Sequence, residues 1–233
     1  TFDAHHRITE CRDYLDKKLD NDDALFYGIN TGFGYLQNVK IDNTQLHQLQ
    51  SNLLQSHACG LGEEVPAAIV KLMMMLKIKS LSYGHSGVQL DTVKRLVDMY
   101  NNDVLPVIYT QGSLGASGDL APLSHLSLPL IGMGEVWHEG IKMPAAKALK
   151  KFGWEPIQLQ SKEGLALING TQFMLAYAVY AQLEAERILN RSSEIAALSI
   201  EAFNARIEPF LPHTHRIRNQ KGQIQIASEI AAL

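Results

Sequence analysis

The chain has 233 residues and a formal net charge of −3, from 21 Lys and Arg against 24 Asp and Glu. Apolar residues make up 46% and charged residues 19%, an ordinary globular balance that excludes a wholly disordered chain. No block of like charge exceeds a few residues, so neither a nucleic-acid face nor a polybasic membrane patch is expected. The longest apolar runs, Leu126–Gly134 and Ile195–Ile200, are too short to cross a bilayer. Cys11 and Cys59 cannot build a disulfide framework, and no basic start leads into an apolar core. Free thiols and a cytoplasmic location are therefore expected. Without secretion, the Asn169 and Asn190 glycosylation patterns are chance matches. The chain opens on Thr1, so the native N-terminus is expected to be missing.

In chain order, the patterning is mostly helical. Thr9–Leu19 is a short polar-faced helix, with a polar turn at Asp20–Asp23. Leu25–Ile29 is brief and apolar, and Asn30-Thr-Gly-Phe-Gly34 is a glycine-punctuated loop. Asp42–Thr44 offers N-caps for a helix that reaches about Ala58 and stops at Gly60. Pro66 suits the first turn of a helix to about Leu81, in which Met73-Met-Met75 fills core. Val88–Asn102 follows, with Val93, Leu96, Val97 and Tyr100 on one face. Val104–Tyr109 is extended around Pro106, and Gln111–Gly118 is small and glycine-rich. Asp119 is placed to cap a helix through about Gly132, kinked at Pro129.

Val136–Met143 has the pattern of a hairpin turning at Glu139-Gly140. Pro144 opens a short helix that Gly153 ends. Two strong helical stretches, Thr171–Asn190 and Ser192–Ala205, precede Pro209 and Pro212, and Pro209–Gly222 is a candidate linker. The fold class is mainly α. A loop-rich domain, residues 1–190, is expected to lead into the beginning of a long helical bundle, residues 191–233.

Gly112-Ser-Leu-Gly-Ala-Ser-Gly-Asp119 is the segment richest in chemistry. A phosphate loop would need a lysine that is absent. A serine nucleophile elbow would need glycine where Asp119 stands. A plain flexible turn remains open. So does a third reading, in which the Gly118 nitrogen attacks the Ala116 carbonyl carbon. Gly118, without a Cβ, tolerates that compression. Loss of water from the ring and from Ser117 would leave an exocyclic methylidene, an electrophile that no ordinary side chain supplies. A helix starting near Asp119 would stabilise charge developing on the ring oxygen.

Ala116-Ser-Gly-Asp-Leu-Ala-Pro-Leu123 resembles the signature of the aromatic amino acid ammonia-lyases and aminomutases. Tyr27-Gly-Ile-Asn-Thr-Gly-Phe-Gly34 resembles that family's tyrosine loop, and Lys162-Glu-Gly-Leu-Ala-Leu-Ile-Asn-Gly-Thr171 its asparagine segment. The order of the three motifs also matches, and the likeness covers almost the whole chain. The resemblance implies an ammonia-lyase/fumarase-like fold. It also implies a methylidene-imidazolone prosthetic group made autocatalytically from Ala116, Ser117 and Gly118, with no metal. Tyr27 becomes an acid/base beside the substrate, Asn169 a hydrogen-bond partner of group and substrate, and Asp119 an aid to cyclisation. Gly34, Phe33 and Leu165 become site-wall residues.

On their own, these residues have plainer readings. Tyr27 would be a buried tyrosine with a satisfied hydroxyl, and Asn169 a helix N-cap ahead of Gly170 and Thr171. A neutral phenol is a poor base near pH 7, so the family role demands activation by the site. Leu46, Leu49, Leu53 and His57 share one helical face. A histidine there is ordinarily a satisfied core residue. Within the resemblance, Ser56-His57 marks the histidine-specific members, where tyrosine- and phenylalanine-specific types carry other pairs. That implies deamination of L-histidine to trans-urocanate and ammonia. Acceptance of tyrosine or phenylalanine, and a non-catalytic helical scaffold, are the alternatives.

His5-His6 and His213-x-His215 lack partner ligands at a metal spacing, and His85 is read as a loop residue near the site. Family members continue well past Leu233. Their later portion supplies an arginine for the substrate carboxylate, a second tyrosine, a glutamine and a glutamate, and three subunits of a homotetramer build each site. The chain is therefore expected to be a fragment, with Phe173, Tyr177 and Tyr180 on exposed apolar helix faces.

Overall fold

A computed structural model describes residues 1–21, 24–42 and 45–233. The chain divides into two compact units, Thr1–Tyr177 and Ala178–Leu233. One uninterrupted helix, α8 (Gln172–Ala202), runs where two were expected. Its first turns carry Phe173 and Ala176, which belong to the buried core of the first unit, and Tyr177 packs against them. Phe173 is thus buried, with Tyr177 edge-on at 5.1 Å, and of the three aromatics only Tyr180 is exposed.

The first unit holds α1 (Phe2–Asn21), α2 (Leu46–His57), α3 (Ala67–Leu81), α4 (Leu90–Asn101), α5 (Leu120–Ser127), α6 (Ala145–Phe152) and α7 (Glu163–Ile168). The turn expected at Asp20–Asp23 and the caps at Asp42–Thr44 lie partly outside the described residues. Helix α1 begins a full two turns before the expected Thr9, held at its start by backbone bonding of His5 to Thr1. Pro66 sits at the N-cap of α3. Within that helix Met73 and Met74 are fully buried, whereas Met75 is exposed. Thr92, Val93, Leu96 and Met99 form the inner face of α4. After Ser127 the chain tightens into a 3₁₀ turn, Leu128–Ile131, instead of continuing as a kinked helix. Pro129 has no N–H to extend the α ladder, so the tighter turn replaces it.

The extended segment resolves into β2 (Leu105–Pro106) and β3 (Tyr109–Gln111). Strands β4 (Glu135–His138) and β5 (Ile141–Pro144) form the expected hairpin. Glu139 and Gly140 both have positive φ, 52° and 75°, the geometry that matches a two-residue turn to strand twist. Strand β2 adds to this pair along β4. An unanticipated strand, β1 (Leu61–Glu64), pairs antiparallel with β3. The core beneath contains Leu54, Met73, Met74, Leu96, Met99, Leu123, Leu126 and Leu130.

In the second unit, Pro209–Gly222 is not a linker. It contains a 3₁₀ turn at Glu208–Phe210 and helix α9 (Pro212–Arg216), and it runs into α10 (Lys221–Ala232). Pro212 occupies the first turn of α9, where a missing N–H costs nothing. Leu183, Ile188, Leu189, Ile195 and Leu198 of α8 are exposed. No described helix is long and apolar enough to cross a membrane.

Arg12 fastens α1 to the rest of the first unit. It is buried, and its guanidinium donates to the carbonyls of Gly87 at 2.8 Å and Ser161 at 2.9 Å and to Ser161 Oγ at 2.9 Å, with Asp16 also in contact. A lysine cannot reproduce that fork. Arg12→Lys should lower stability by about 2–4 kcal/mol, because buried carbonyls lose charge-assisted donors. Urea unfolding is the measurement.

Candidate functional site

A cleft of about 680 Å³ opens in the first unit between α2, α7 and the loop that follows α1. Its lining brings together Tyr27, Phe33, Gly34, His57, Ser117, Leu165 and Asn169. Leu53, Leu120, Ala166 and Ile168 supply further apolar wall, and His85, Ser86 and Lys162 further polar atoms. Ala116, Gly118, Asp119 and Ser56 stand outside the lining.

Helix α2 presents Leu53 and His57 to the cleft one helical turn apart. His57 Nδ1 lies 2.9 Å from the Leu53 carbonyl. A carbonyl only accepts, so the proton is on Nδ1 and Nε2 is left as an acceptor. Ser56 Oγ lies 3.1 Å from both the Leu53 carbonyl and His57 Nδ1, and so braces the imidazole. Tyr27 is more than half exposed, unlike the buried tyrosine its apolar surroundings suggest. Its hydroxyl accepts a long hydrogen bond, 3.4 Å, from the Gly34 N–H, and its ring meets Phe33 edge-on.

The Ala116-Ser117-Gly118 backbone is clamped from behind. Asp119 is buried, and its N–H donates to the Gly170 carbonyl at 2.7 Å. Its carboxylate does not cap its own helix. It accepts instead from Ser113 Oγ at 2.9 Å and from the Met174 N–H at 3.0 Å, in the first turn of α8. That corrects the expected capping on both sides. Asn169 closes the C-terminus of α7 rather than opening the next helix, since the Asp119 carboxylate already supplies a cap there. Gly118 has φ +99°, and a Cβ on it would lie 2.4 Å from the Gly170 carbonyl oxygen. Its N–H is held by only a long bond, 3.4 Å, to the Gly115 carbonyl. A tightly backed loop with a lightly held Gly118 nitrogen, and Ser117 facing the cleft, fits a ring made from these three residues.

Helix α7 sets the opposite wall. Glu163 at its start is fully buried, with its carboxylate accepting from the Gln89 N–H, Gln89 Nε2, Thr92 Oγ1 and the Gln160 N–H at 2.6–2.9 Å. Gly164 N–H donates to Gln50 Oε1 at 2.9 Å, and a Cβ on Gly164 would come equally close to the Gln50 carbonyl. Helices α2 and α7 therefore meet backbone to backbone. Lys162 takes φ +71°, a left-handed conformation costing a side-chain-bearing residue about 1–2 kcal/mol. Its Nζ donates to the Ser86 carbonyl at 2.6 Å, tying the His85 turn to the wall. Burial lowers the Lys162 pKa.

Ser86, Lys162 and Lys77 were not nominated from sequence. Lys77 stands in the apolar run of α3, where its one signal is a cation among methionines and leucines. Among the described residues, no three His, Cys, Asp or Glu side chains gather as a metal site.

The chain belongs to the aromatic amino acid lyase family, whose pattern it matches over residues 2–233. It is 46% identical over 227 residues to a histidine ammonia-lyase of Deinococcus radiodurans, and 44% identical over 228 residues to one of Staphylococcus aureus. Those alignments take in 97% and 98% of this chain but 43% and 45% of the relatives, so the chain spans well under half their length. A histidine ammonia-lyase structure from Trypanosoma cruzi superposes with a TM-score of 0.92 at 38% identity, over all of this chain and 44% of that one. The phenylalanine aminomutase of Pantoea agglomerans superposes with a TM-score of 0.91 at 33% identity, over 99% and 44%.

Two outcomes follow from the wall. Gly164→Ala should cost about 1–3 kcal/mol by forcing α7 off α2, read as a lowered melting temperature. Burial also pushes the Lys77 pKa down to about 7, from 10.5 in a free lysine. Below pH 7 the native and unfolded chains both carry the charge, and its burial costs stability in full. As pH rises towards 10.5 the native form sheds its proton first, and that cost is relieved. Relative to the parent, Lys77→Met should therefore fare best below pH 7 and lose ground by pH 9.5, read as the difference between the two in denaturant titrations.

Proposed function

We propose that this chain carries the electrophile-forming part of a histidine ammonia-lyase, which converts L-histidine to trans-urocanate and ammonia. The observation that carries this reading is the convergence of Ser117, Tyr27, His57 and Asn169 on one cleft, in a chain 44–46% identical to histidine ammonia-lyases.

The prosthetic group is a methylidene-imidazolone formed from Ala116, Ser117 and Gly118, with Asp119 and Gly170 holding the backbone and no metal taking part. Once formed, it supplies an electrophilic carbon that turns the substrate amine into a leaving group. Tyr27 moves the proton at the substrate β-carbon. Asn169 orients substrate and group by hydrogen bonding. Phe33, Gly34 and Leu165 shape the wall around the ring. His57 accepts an imidazole N–H at Nε2, and Ser56 keeps its ring oriented. Holding both reacting partners in place contributes up to about 7–11 kcal/mol.

The first unit acts as the prosthetic-group domain and the second as the opening of a helical bundle. The full protein works as a cytoplasmic homotetramer, in which further chain and neighbouring subunits complete the site. The open cleft and the exposed leucines and isoleucines of α8 support that reading.

A tyrosine- or phenylalanine-directed activity is the second reading, favoured by the likeness to phenylalanine aminomutase. The Nε2 acceptor of His57 argues against phenylalanine, whose ring brings it no donor; a tyrosine hydroxyl would also donate to it, so the assay with each amino acid separates histidine from tyrosine.

Intact mass of the complete protein should fall short of its sequence by two waters, and Ser117→Ala should abolish both the shortfall and turnover. Histidine deamination that survives without the mass loss would sink the reading. His57→Leu strands the ring nitrogens of the substrate at a cost of about 1–3 kcal/mol, so kcat/KM for histidine should drop about 5- to 150-fold. Ultraviolet absorbance of the product follows the reaction with histidine, tyrosine and phenylalanine in turn.

A further inference from the structure

Lys77 is the largest fully buried side chain in the core, at 1% exposure. It has no carboxylate partner in hydrogen-bond range among the described residues. Its Nζ donates instead to the Ala166 carbonyl at 2.7 Å and, more weakly, to the Asn169 carbonyl at 3.3 Å. Both carbonyls belong to the C-terminal end of α7, where backbone acceptors have no partner within the helix and a cation is favoured. The chain then passes directly from Asn169 to Gly170, whose carbonyl takes the Asp119 N–H and whose backbone leaves no room for a Cβ on Gly118.

An unbroken path therefore runs from a side chain outside the cleft to the tripeptide. It goes from Lys77 to the end of α7, to Asn169 and Gly170, and to Gly118 and Asp119. Burying an ammonium here is expensive, as its lowered pKa of about 7 records. An apolar residue would fill the same space without that cost.

We infer that Lys77 is a positioning residue for the tripeptide: it fixes the Asn169–Gly170 strap against which Ala116-Ser117-Gly118 is compressed, and ring closure depends on it. This rests on the reading that the tripeptide cyclises. Lys77 touches neither substrate nor ring. Its effect passes through the Ala166 and Asn169 backbone carbonyls, which among the described residues take no other protein donor.

The test uses the complete protein. Lys77→Met and Lys77→Leu remove the donor while filling the space, two replacements so that the better-packing one can be followed. Leu96→Ala, a core truncation in α4 away from the strap, serves as a destabilised control. Intact mass is followed with time after synthesis, alongside thermal melts of the same samples.

The Lys77 variants should melt no lower than Leu96→Ala yet accumulate the two-water loss at least tenfold more slowly than the parent. Leu96→Ala should cyclise at the parental rate. A folded Lys77 variant that loses both waters as fast as the parent overturns the inference. Equal slowing in Leu96→Ala also overturns it, by reducing the effect to lost stability. A parent that never loses the waters overturns the proposed function itself, a different result from either.

Discussion

Behind the cleft, two stretches of main chain touch with nothing between them. Gly118 lies so close to Gly170 that a single added carbon would overlap its carbonyl oxygen, and Asp119 bonds that same carbonyl. The loop and the end of α7 are thereby locked into one piece. The Asp119 carboxylate extends the lock to Ser113 and to the first turn of α8. The absence of a Cβ at Gly118 serves two ends at once. It permits the close approach, and it leaves the Gly118 nitrogen uncrowded, as the proposed ring closure onto the Ala116 carbonyl carbon requires.

Buried charge is handled in an unusual way around this lock. Arg12, Lys77 and Glu163 are all buried; Arg12 also pairs with the half-exposed Asp16, while Lys77 and Glu163 have no ion-pair partner among the described residues. Arg12 and Lys77 donate to carbonyls, and Glu163 accepts from amides and a hydroxyl. Each joins segments distant in sequence, which apolar packing alone would hold less specifically. A non-directional core of methionine and leucine fixes the volume. The three charged groups fix the rotation and register of the elements that carry the cleft.

Local chemistry made much of this legible. The Glu139-Gly140 hairpin, the Gly153 helix end and the face shared by Leu53 and His57 depend on neighbours a few residues away, and all three hold in the structure. What failed was settled at long range. Strand β1 has no alternating pattern and exists because β3 lies beside it. Asn169 looked like a helix start because nothing nearby in sequence announces that Asp119, fifty residues earlier, caps that helix. Pro209 and Pro212 looked like linker punctuation, yet proline is equally at home in the opening turn of a helix. Lys77 could not be read as a cleft-supporting residue, because its significance lies entirely in what surrounds it after folding. The family motifs named the residues on the cleft. The bonds that hold those residues came only from the fold.

The Gln50–Gly164 contact also governs molecular traffic. Helices α2 and α7 are joined by the Gly164 N–H donating to the Gln50 side-chain oxygen, at a separation too small for a Cβ on Gly164, and cannot part without breaking that buried bond. The cleft is bounded on another side by the segment bearing Tyr27, whose side chain, like those of Tyr35 and Leu36 beyond it, lies open to solvent. On the proposed reading, admission of a reactant and departure of a product fall to that tyrosine-bearing segment, so the residue assigned the proton transfer rides on the less tightly held wall.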